Sequence, residues 1–322
     1  MRAIVMHEPG GPGVLRPEEV PDPVAGPGQV LIQAEAIGVS YSELAMRAGL
    51  YPPPAPLPLT FGFEAAGVVT ATGPGADPAL RGRRVVVLST AFGAYAEYLA
   101  VPAEAVTAVP DGIGAAEAVA VANMAAVALC LLRAARLTGS ESVLVEAAAG
   151  GVGGYLTQLA RPLGAARVIG TAGGAAKGEH ARSLGADVVL DHRQPGWADG
   201  LPAALGGATL DVVFESIGGE SAGQVLAAMT PLSGRVMFYG LLAGPPAITP
   251  LDLLRRGLTL VGCGGMPGWL GLVQAARAEV LAMTAEGRIR PLIDSFLPLE
   301  EAAQAHQRFE DRAAVGKIIL MP

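Results

Sequence analysis

Val and Ile alternate with small or polar residues through most of the first hundred positions, in "RAIVM", "QVLIQAEAIGV", "EAAGVVTATG" and "RRVVVLST". Clusters such as "EPGGPG", "AGPG" and "ATGPGADP" separate these runs, so the pattern predicts short strands joined by turns. "GAYAEYLAVP" continues it as a further strand. Many short strands at this spacing predict a partly antiparallel barrel.

From about Gly114 the period changes. A long Ala-rich helix is followed by strand "SVLVEA", helix "GYLTQLARPLG", strand "RVIGTA", helix "KGEHARSLG" and strand "DVVLD". "LDVVFESIG", a helix near Ser221–Met229, "GRVMFYG" and "GLTLVGC" extend the alternation, which predicts a doubly wound parallel sheet. The tail reads as a helix through Glu279–Glu286, strand "IDSFLPL", helix "EEAAQAHQRFE" and strand "GKIILMP". The expected division is 1–118 with 270–322 for the barrel domain and 119–269 for the α/β domain.

At 322 residues with 51% hydrophobic and 16% charged residues, the chain has material for two cores. The net charge of −7 and the lack of any Lys/Arg run argue against nucleic acid or an anionic membrane as partners. Cys130 and Cys263 are the only cysteines, which excludes a disulfide framework and a four-Cys zinc lobe. "MRAIVMHEPG" lacks a charged segment followed by an apolar core, so no signal peptide and a cytoplasmic location are expected. The apolar run Ala118–Leu132 falls short of a bilayer-spanning length of about 20 residues and predicts a buried helix.

The junction "EAAAGGVGG" between a strand and a helix reads as the dinucleotide fingerprint, Ala148-Ala149-Gly150-Gly151-Val152-Gly153, with Ala in the first glycine place. Gly150 lets backbone approach a pyrophosphate, and Gly153 lets the helix sit close on the strand. A purely structural glycine turn is the alternative; the surrounding strand–helix alternation favours the nucleotide. An NAD site would place a carboxylate at the end of the second strand. "VIGTAGGAAKG" has none until Glu179, and Lys177 offers a cation where a 2′-phosphate would sit, although a solvated lysine would read the same. Missing acid and present cation together favour NADPH.

These segments resemble the zinc-independent branch of the medium-chain dehydrogenase/reductases, the NADPH quinone oxidoreductase and zeta-crystallin family, over essentially the whole chain. "EAIGVSYSELAMRAGLYP" is similar to its A-x-G-V-N-x-x-D-x-x-x-R-x-G-x-Y-P, and "GFEAAGVV" to its G-x-E-x-x-G-V-V. "GAYAEYLAVP", "AAAGGVG", "GTAGGAAK", "ESIGG" and "VGKIIL" follow in the family's order. In the zinc-dependent dehydrogenases, ligands come from G-V-C-x-x-D and G-H-E segments. Here Ser40 and Phe63 stand at the Cys and His positions, so no metal site is expected.

The resemblance implies a Rossmann doubly wound sheet plus a GroES-like barrel built from both chain ends. It implies hydride transfer from NADPH to a quinone or α,β-unsaturated carbonyl, with a hydrogen-bond donor for the developing oxyanion. Ser40, Tyr41 and Tyr51 would line the substrate pocket, with Tyr51 as the proton donor or simply a rim residue, and Glu43 holding backbone. Cofactor contacts are implied for Asn123, Ala149, Gly150, Gly151, Val152, Thr171, Gly173, Lys177, His192, Ser216, Ile217, Tyr239, Gly240, Leu241 and Lys317. Departures from the family pattern include Glu146 ahead of the glycine loop, and His192-Arg193 where a Tyr often contacts the 2′-phosphate. A 2-enoyl thioester reductase is the rival activity, and a non-catalytic NADPH-binding or structural protein the rival class. The edge strand Gly257–Cys263 is expected to pair across a homodimer.

Overall fold

The period-two runs become strands almost residue for residue in the computed structural model, which describes residues 1–52, 55–264 and 267–322. The first part of the chain forms Arg2–Met6 (β1), Leu15–Glu19 (β2), Gln29–Val39 (β3), Tyr41–Arg47 (α1), Leu59–Thr60 (β4), Glu64–Thr72 (β5) and Arg84–Leu88 (β6). Tyr98–Pro102 (β7), Val106–Ala108 (β8) and Ala115–Ala122 (α2) follow. The alternation then runs Met124–Ala135 (α3), Glu141–Val145 (β9), Gly151–Ala160 (α4), Ala165–Ala172 (β10), Ala175–Ser183 (α5) and Val188–Asp191 (β11). It continues through Leu201–Leu205 (α6), Val212–Glu215 (β12), Ser221–Gln224 (α7), Arg235–Phe238 (β13), Pro250–Arg256 (α8) and Thr259–Gly262 (β14). Pro267–Ala285 (α9), Ile293–Pro298 (β15), Ala302–Glu310 (α10) and Lys317–Met321 (β16) complete the chain.

Two compact units result: residues 1–123 with 277–322, and residues 124–276. The division falls at Asn123 and Ala276, where the sequence suggested 118 and 269.

In the first unit β1 pairs antiparallel with β2 and β4, while the larger sheet runs β15-β16-β3-β5-β6-β8, with β7 also on β3. Its core gathers Val30, Ile32, Ile37 and Val39 of β3 with Phe61, Phe92 and Tyr95. Each such side chain removed from water contributes roughly 1.5–3 kcal/mol. Phe61 and Phe92 stack with centroids 4.9 Å apart. Gly62 is required beside them: its φ is +82°, and a Cβ there would meet the Tyr95 ring at 1.8 Å. This tight corner delivers Phe63 and Glu64 to the start of β5.

The second unit's sheet has order β11-β10-β9-β12-β13-β14, parallel throughout. The strand order reverses on either side of β9, and ligands of such sheets bind at the carboxyl ends of the strands there. β14 is an edge, and Thr259, Leu260 and Gly262 on it are exposed.

Several expectations need correction. β2 was not foreseen, because "LRPEE" carries Pro17 and three charges; it forms as an edge strand on β1. The helix expected at Glu279–Glu286 begins at Pro267, and the one near Ser221–Met229 breaks after Gln224 into a 3-10 turn over Val225–Ala228. The Ala-rich segment is longer than the apolar run suggested. Ala115–Ala135 has the length and composition to cross a bilayer, but 72% of its most apolar window is buried inside the protein, as in a core helix.

Candidate active site

The second unit builds its crevice at the end of β9. Ala147 adopts a left-handed φ of +49°, and Gly150 N-caps α4 in an extended conformation without a side-chain cap. The first N–H groups of a helix have no intrahelical partner, so this end presents donors and the positive end of the helix dipole to an anion. Gly153 makes the approach possible, since a Cβ there would lie 2.3 Å from the Ala147 carbonyl oxygen. The next open corner is at the end of β10. Thr171 is buried, its hydroxyl accepting the Ala147 N–H at 3.2 Å and lying 3.2 Å from His192 Nδ1. Gly173 faces His192 and Arg193, a Cβ there falling 3.2 Å from His192 Nε2. Lys177 lies in the first turns of α5. A carboxylate does reach this corner from the third strand: Asp191 accepts N–H bonds from Gly174 and Arg193, and Arg193 holds it well below the usual carboxylate range.

A second arrangement at the crevice was not anticipated. Glu146, just past β9, and Glu215, at the end of the adjacent β12, are both buried. Glu146 Oε2 accepts N–H bonds from Ser216 at 3.1 Å and Ile217 at 3.3 Å; Glu215 Oε1 accepts those of Ile217 at 2.9 Å and Gly218 at 2.6 Å. Burial, together with the hydrogen-bonded Glu215, pushes the Glu146 carboxyl up to about 8. The signal was present in two glutamates at the ends of strands that the alternation made neighbours. The Glu146 carboxyl faces that of Glu215 and the Tyr239 phenol bonds Ser216, while Gly240 packs on Ser216, where a Cβ would lie 2.6 Å from its carbonyl oxygen. Tyr239 is half-buried, its phenol pushed up by that burial, and Leu241 is exposed. Open helix donors and small residues at one strand-end crevice fit a dinucleotide.

The pair has a consequence for stability. A carboxyl whose folded pKa exceeds its unfolded value binds the proton more tightly when native. Its contribution is full below about pH 4.5 and lost as pH rises through about 8. Glu146→Gln keeps the acceptor for the Ser216 N–H and provides a fixed donor for Glu215. The variant is therefore expected to lose less thermal stability than the parent between about pH 6 and pH 9. Unfolding curves across that range check this, and identical pH dependence would show that Glu146 carries no proton. Glu43, discussed next, titrates in the same window, so the variant removes one part of the slope.

In the first unit, Ser40 N-caps α1 and is buried with Glu64 and Lys317. The Lys317 ammonium donates to Glu64 Oε2 at 2.6 Å and to Ser40 Oγ at 2.9 Å; the Ser40 hydroxyl donates to Glu64 Oε1 at 2.8 Å, and Asn123 Nδ2 to the same oxygen at 3.1 Å. Asn123 and Lys317, read from the sequence as cofactor contacts, thus commit their side chains to Glu64. Glu43 accepts the Ser40 and Phe63 N–H groups and the Tyr95 hydroxyl, and burial pushes its carboxyl up to about 8. It holds backbone, as the resemblance implied. Tyr41 and Tyr51 are about half exposed, at 46% and 48%, and the structure does not bring either into the Ser40–Glu64 network. Pro53 and Pro54, beside Tyr51, lie outside the described residues. Zinc needs three or four N, S or carboxylate ligands. A serine hydroxyl, a phenylalanine and a carboxylate already holding an ammonium do not fit that requirement.

Two family models match: a GroES-like alcohol dehydrogenase domain over residues 26–111 and a zinc-binding dehydrogenase domain over residues 151–282. The quinone oxidoreductase of Sus scrofa is 32% identical over 100% of this chain and 98% of its own. The synaptic vesicle membrane protein VAT-1 homolog of Homo sapiens is 32% identical over 100% of this chain and 86% of its own. The crystal structure of Escherichia coli quinone oxidoreductase complexed with NADPH superposes with a TM-score of 0.91 at 31% identity, covering 100% of both chains. The chain belongs to the medium-chain dehydrogenase/reductase family, among relatives named quinone oxidoreductase.

Proposed function

We propose that this protein is an NADPH-dependent oxidoreductase that reduces quinones or α,β-unsaturated carbonyl compounds without zinc. Support for the cofactor lies in the crevice of the second unit, where Gly150–Gly153 and α4 would take the pyrophosphate and the corner of His192, Arg193 and Lys177 the 2′-phosphate. When bound, NADPH supplies two electrons and a proton equivalent as hydride. The remaining proton must come from protein or water, and the oxyanion that develops on the substrate needs donors and positive charge. The Ser40–Glu64–Lys317 network supplies a buried ammonium at Lys317 Nζ, with no metal needed to hold charge in that place. This network is the observation that carries the zinc-free reading.

A cytoplasmic location and a homodimer belong to the same proposal. The exposed edge β14, paired with β13 on one side only, supports the dimer, because an open strand edge is a ready template for a second copy. The helix pair over Ala115–Ala135 is read as core rather than as a membrane anchor.

Cofactor selectivity tests the assignment. Lys177→Ala is expected to weaken NADPH binding roughly 10-fold or more, the lower part of what a charge-assisted phosphate contact provides, because His192 and Arg193 share the phosphate. NADH binding should change little. Fluorescence titration of both cofactors measures this, and equal losses would remove Lys177 from the phosphate site.

A further inference from the structure

Glu146 joins two parts of the second unit's crevice. Its backbone opens the glycine loop: the Glu146 N–H donates to the Phe214 carbonyl at 3.2 Å, and Gly153 packs so close that a Cβ there would lie 2.9 Å from the Glu146 carbonyl oxygen. Its side chain crosses to the segment after β12, where it accepts the Ser216 and Ile217 N–H groups. Glu215 accepts those of Ile217 and Gly218, so three consecutive amides end on two carboxyls and Ile217 is shared. The pairing of β9 with β12 stops at Val145 and Phe214, and carboxyl oxygens replace it as acceptors for these amides.

Each carboxyl uses one oxygen on the backbone. The other, Oε1 of Glu146 and Oε2 of Glu215, is buried and accepts no further donor among the described residues, and the two groups hydrogen-bond each other. Two carboxylates offer acceptors only, so that bond requires a proton. Adjacent buried carboxyls do not both ionise readily, and the pair holds one proton with one negative charge remaining. The surrounding elements bring no counter-charge. β13 ends before Tyr239, whose phenol bonds Ser216 and keeps its own proton. Thr171 of β10 is uncharged and bonds Ala147, the first turn of α4 has no titratable side chain, and Glu220 beyond the segment is exposed to water.

We propose that Glu146 is a positioning residue for the cofactor: sharing one proton with Glu215, it ties the glycine loop to the Ser216–Gly218 segment, and NADPH binding draws that proton in from solvent. The inference rests on the NADPH reading, in which the resemblance implies cofactor contacts for Ser216 and Ile217. NADPH brings negative charge to the crevice, which favours the singly protonated pair over the doubly ionised one. The pair's pKa therefore rises on binding, so affinity is full below about pH 8 and weakens as pH rises through it. Loss of the proton also breaks the carboxyl–carboxyl bond and sets two charges against each other, which loosens the segment.

Fluorescence titration of NADPH against pH, with calorimetry in two buffers of different ionisation enthalpy, tests this on the full chain. A rise of about one unit in the pair's pKa weakens wild-type binding roughly 5- to 10-fold between about pH 7 and about pH 9.5, with uptake of roughly half a proton per NADPH near pH 8.5. Glu146→Gln keeps the hydrogen bonds without the titrating proton. Its affinity should match wild type near neutral pH, stay level as pH rises and show no uptake, and Glu215→Gln should do the same. Glu146→Ala should bind more weakly at every pH. Hydrogen exchange of the Ser216, Ile217 and Gly218 amides in the cofactor-free chain, corrected for intrinsic rates, gives a second readout. Wild type should lose protection above about pH 8, and Glu146→Gln should keep it. The same pH slope and the same protection in wild type and Glu146→Gln would overturn the inference. The expected pattern of protection with no NADPH binding at any pH would keep the tie between the two segments and count against the cofactor reading instead.

Discussion

Lys317→Met is expected to destabilise the first unit by about 3–5 kcal/mol, the range for stranding one member of a buried ion pair. Lys317 and Glu64 are 5% and 2% exposed, and the ammonium is 2.6 Å from the carboxylate. Removing it leaves Glu64 to the hydroxyl of Ser40 and the amide of Asn123, with only the Arg277 guanidinium acting on its charge and no ammonium bonded to it. The double substitution Lys317→Met with Glu64→Gln removes both charges and should recover most of the loss, because replacing a whole buried pair is often neutral. Denaturant unfolding of the parent, the two single variants and the double variant gives the coupling energy directly. Additive losses would mean that the pair does not act as a unit. Turnover should fall in Lys317→Met and stay low in the double variant, since stability is restored but the buried cation is not.

The second large effect concerns the glycine loop. Gly153→Ala places a methyl 2.3 Å from the Ala147 carbonyl oxygen and 2.8 Å from its carbon, both backbone atoms that cannot step aside without moving α4 off β9. Overpacking of this kind costs about 1–3 kcal/mol. Where the displaced helix end is the anion site, the same amount appears as roughly 5- to 150-fold weaker NADPH binding. Gly151→Ala is the control: the nearest atom to its Cβ would be the flexible Met124 sulfur at 3.5 Å. Titration of both variants should show the larger loss for Gly153. Equal affinities would mean that α4 does not define the pyrophosphate site.

Much of this was legible in the chain itself, because strands in a two-sided core announce themselves by period. β1 and β3 coincide with "RAIVM" and "QVLIQAEAIGV", and the parallel order around β9 follows from strand and helix alternating. The glycine fingerprint was legible for the same reason, since its chemistry depends on what side chains leave out. The polar interior was harder. Lys317 and Arg277 look like ordinary surface cations in "VGKIIL" and "QAARAE", and only tertiary packing buries them. The facing of Glu146 and Glu215 depends on β9 lying beside β12, a contact between strands far apart in sequence. Asn123 sat in an Ala-rich helical run, where nothing local shows that its side chain reaches Glu64. The resemblance implies cofactor contacts for Asn123 and Lys317; the structure shows that both side chains also bond the Glu64 carboxylate.

The most direct test of the account is steady-state oxidation of NADPH with p-benzoquinone and with a simple enone, run with and without a strong chelator and alongside NADH. The account predicts turnover with NADPH that the chelator leaves intact, and a clear preference for NADPH over NADH. Activity that disappears with the chelator and returns with zinc, or a preference for NADH, would contradict it.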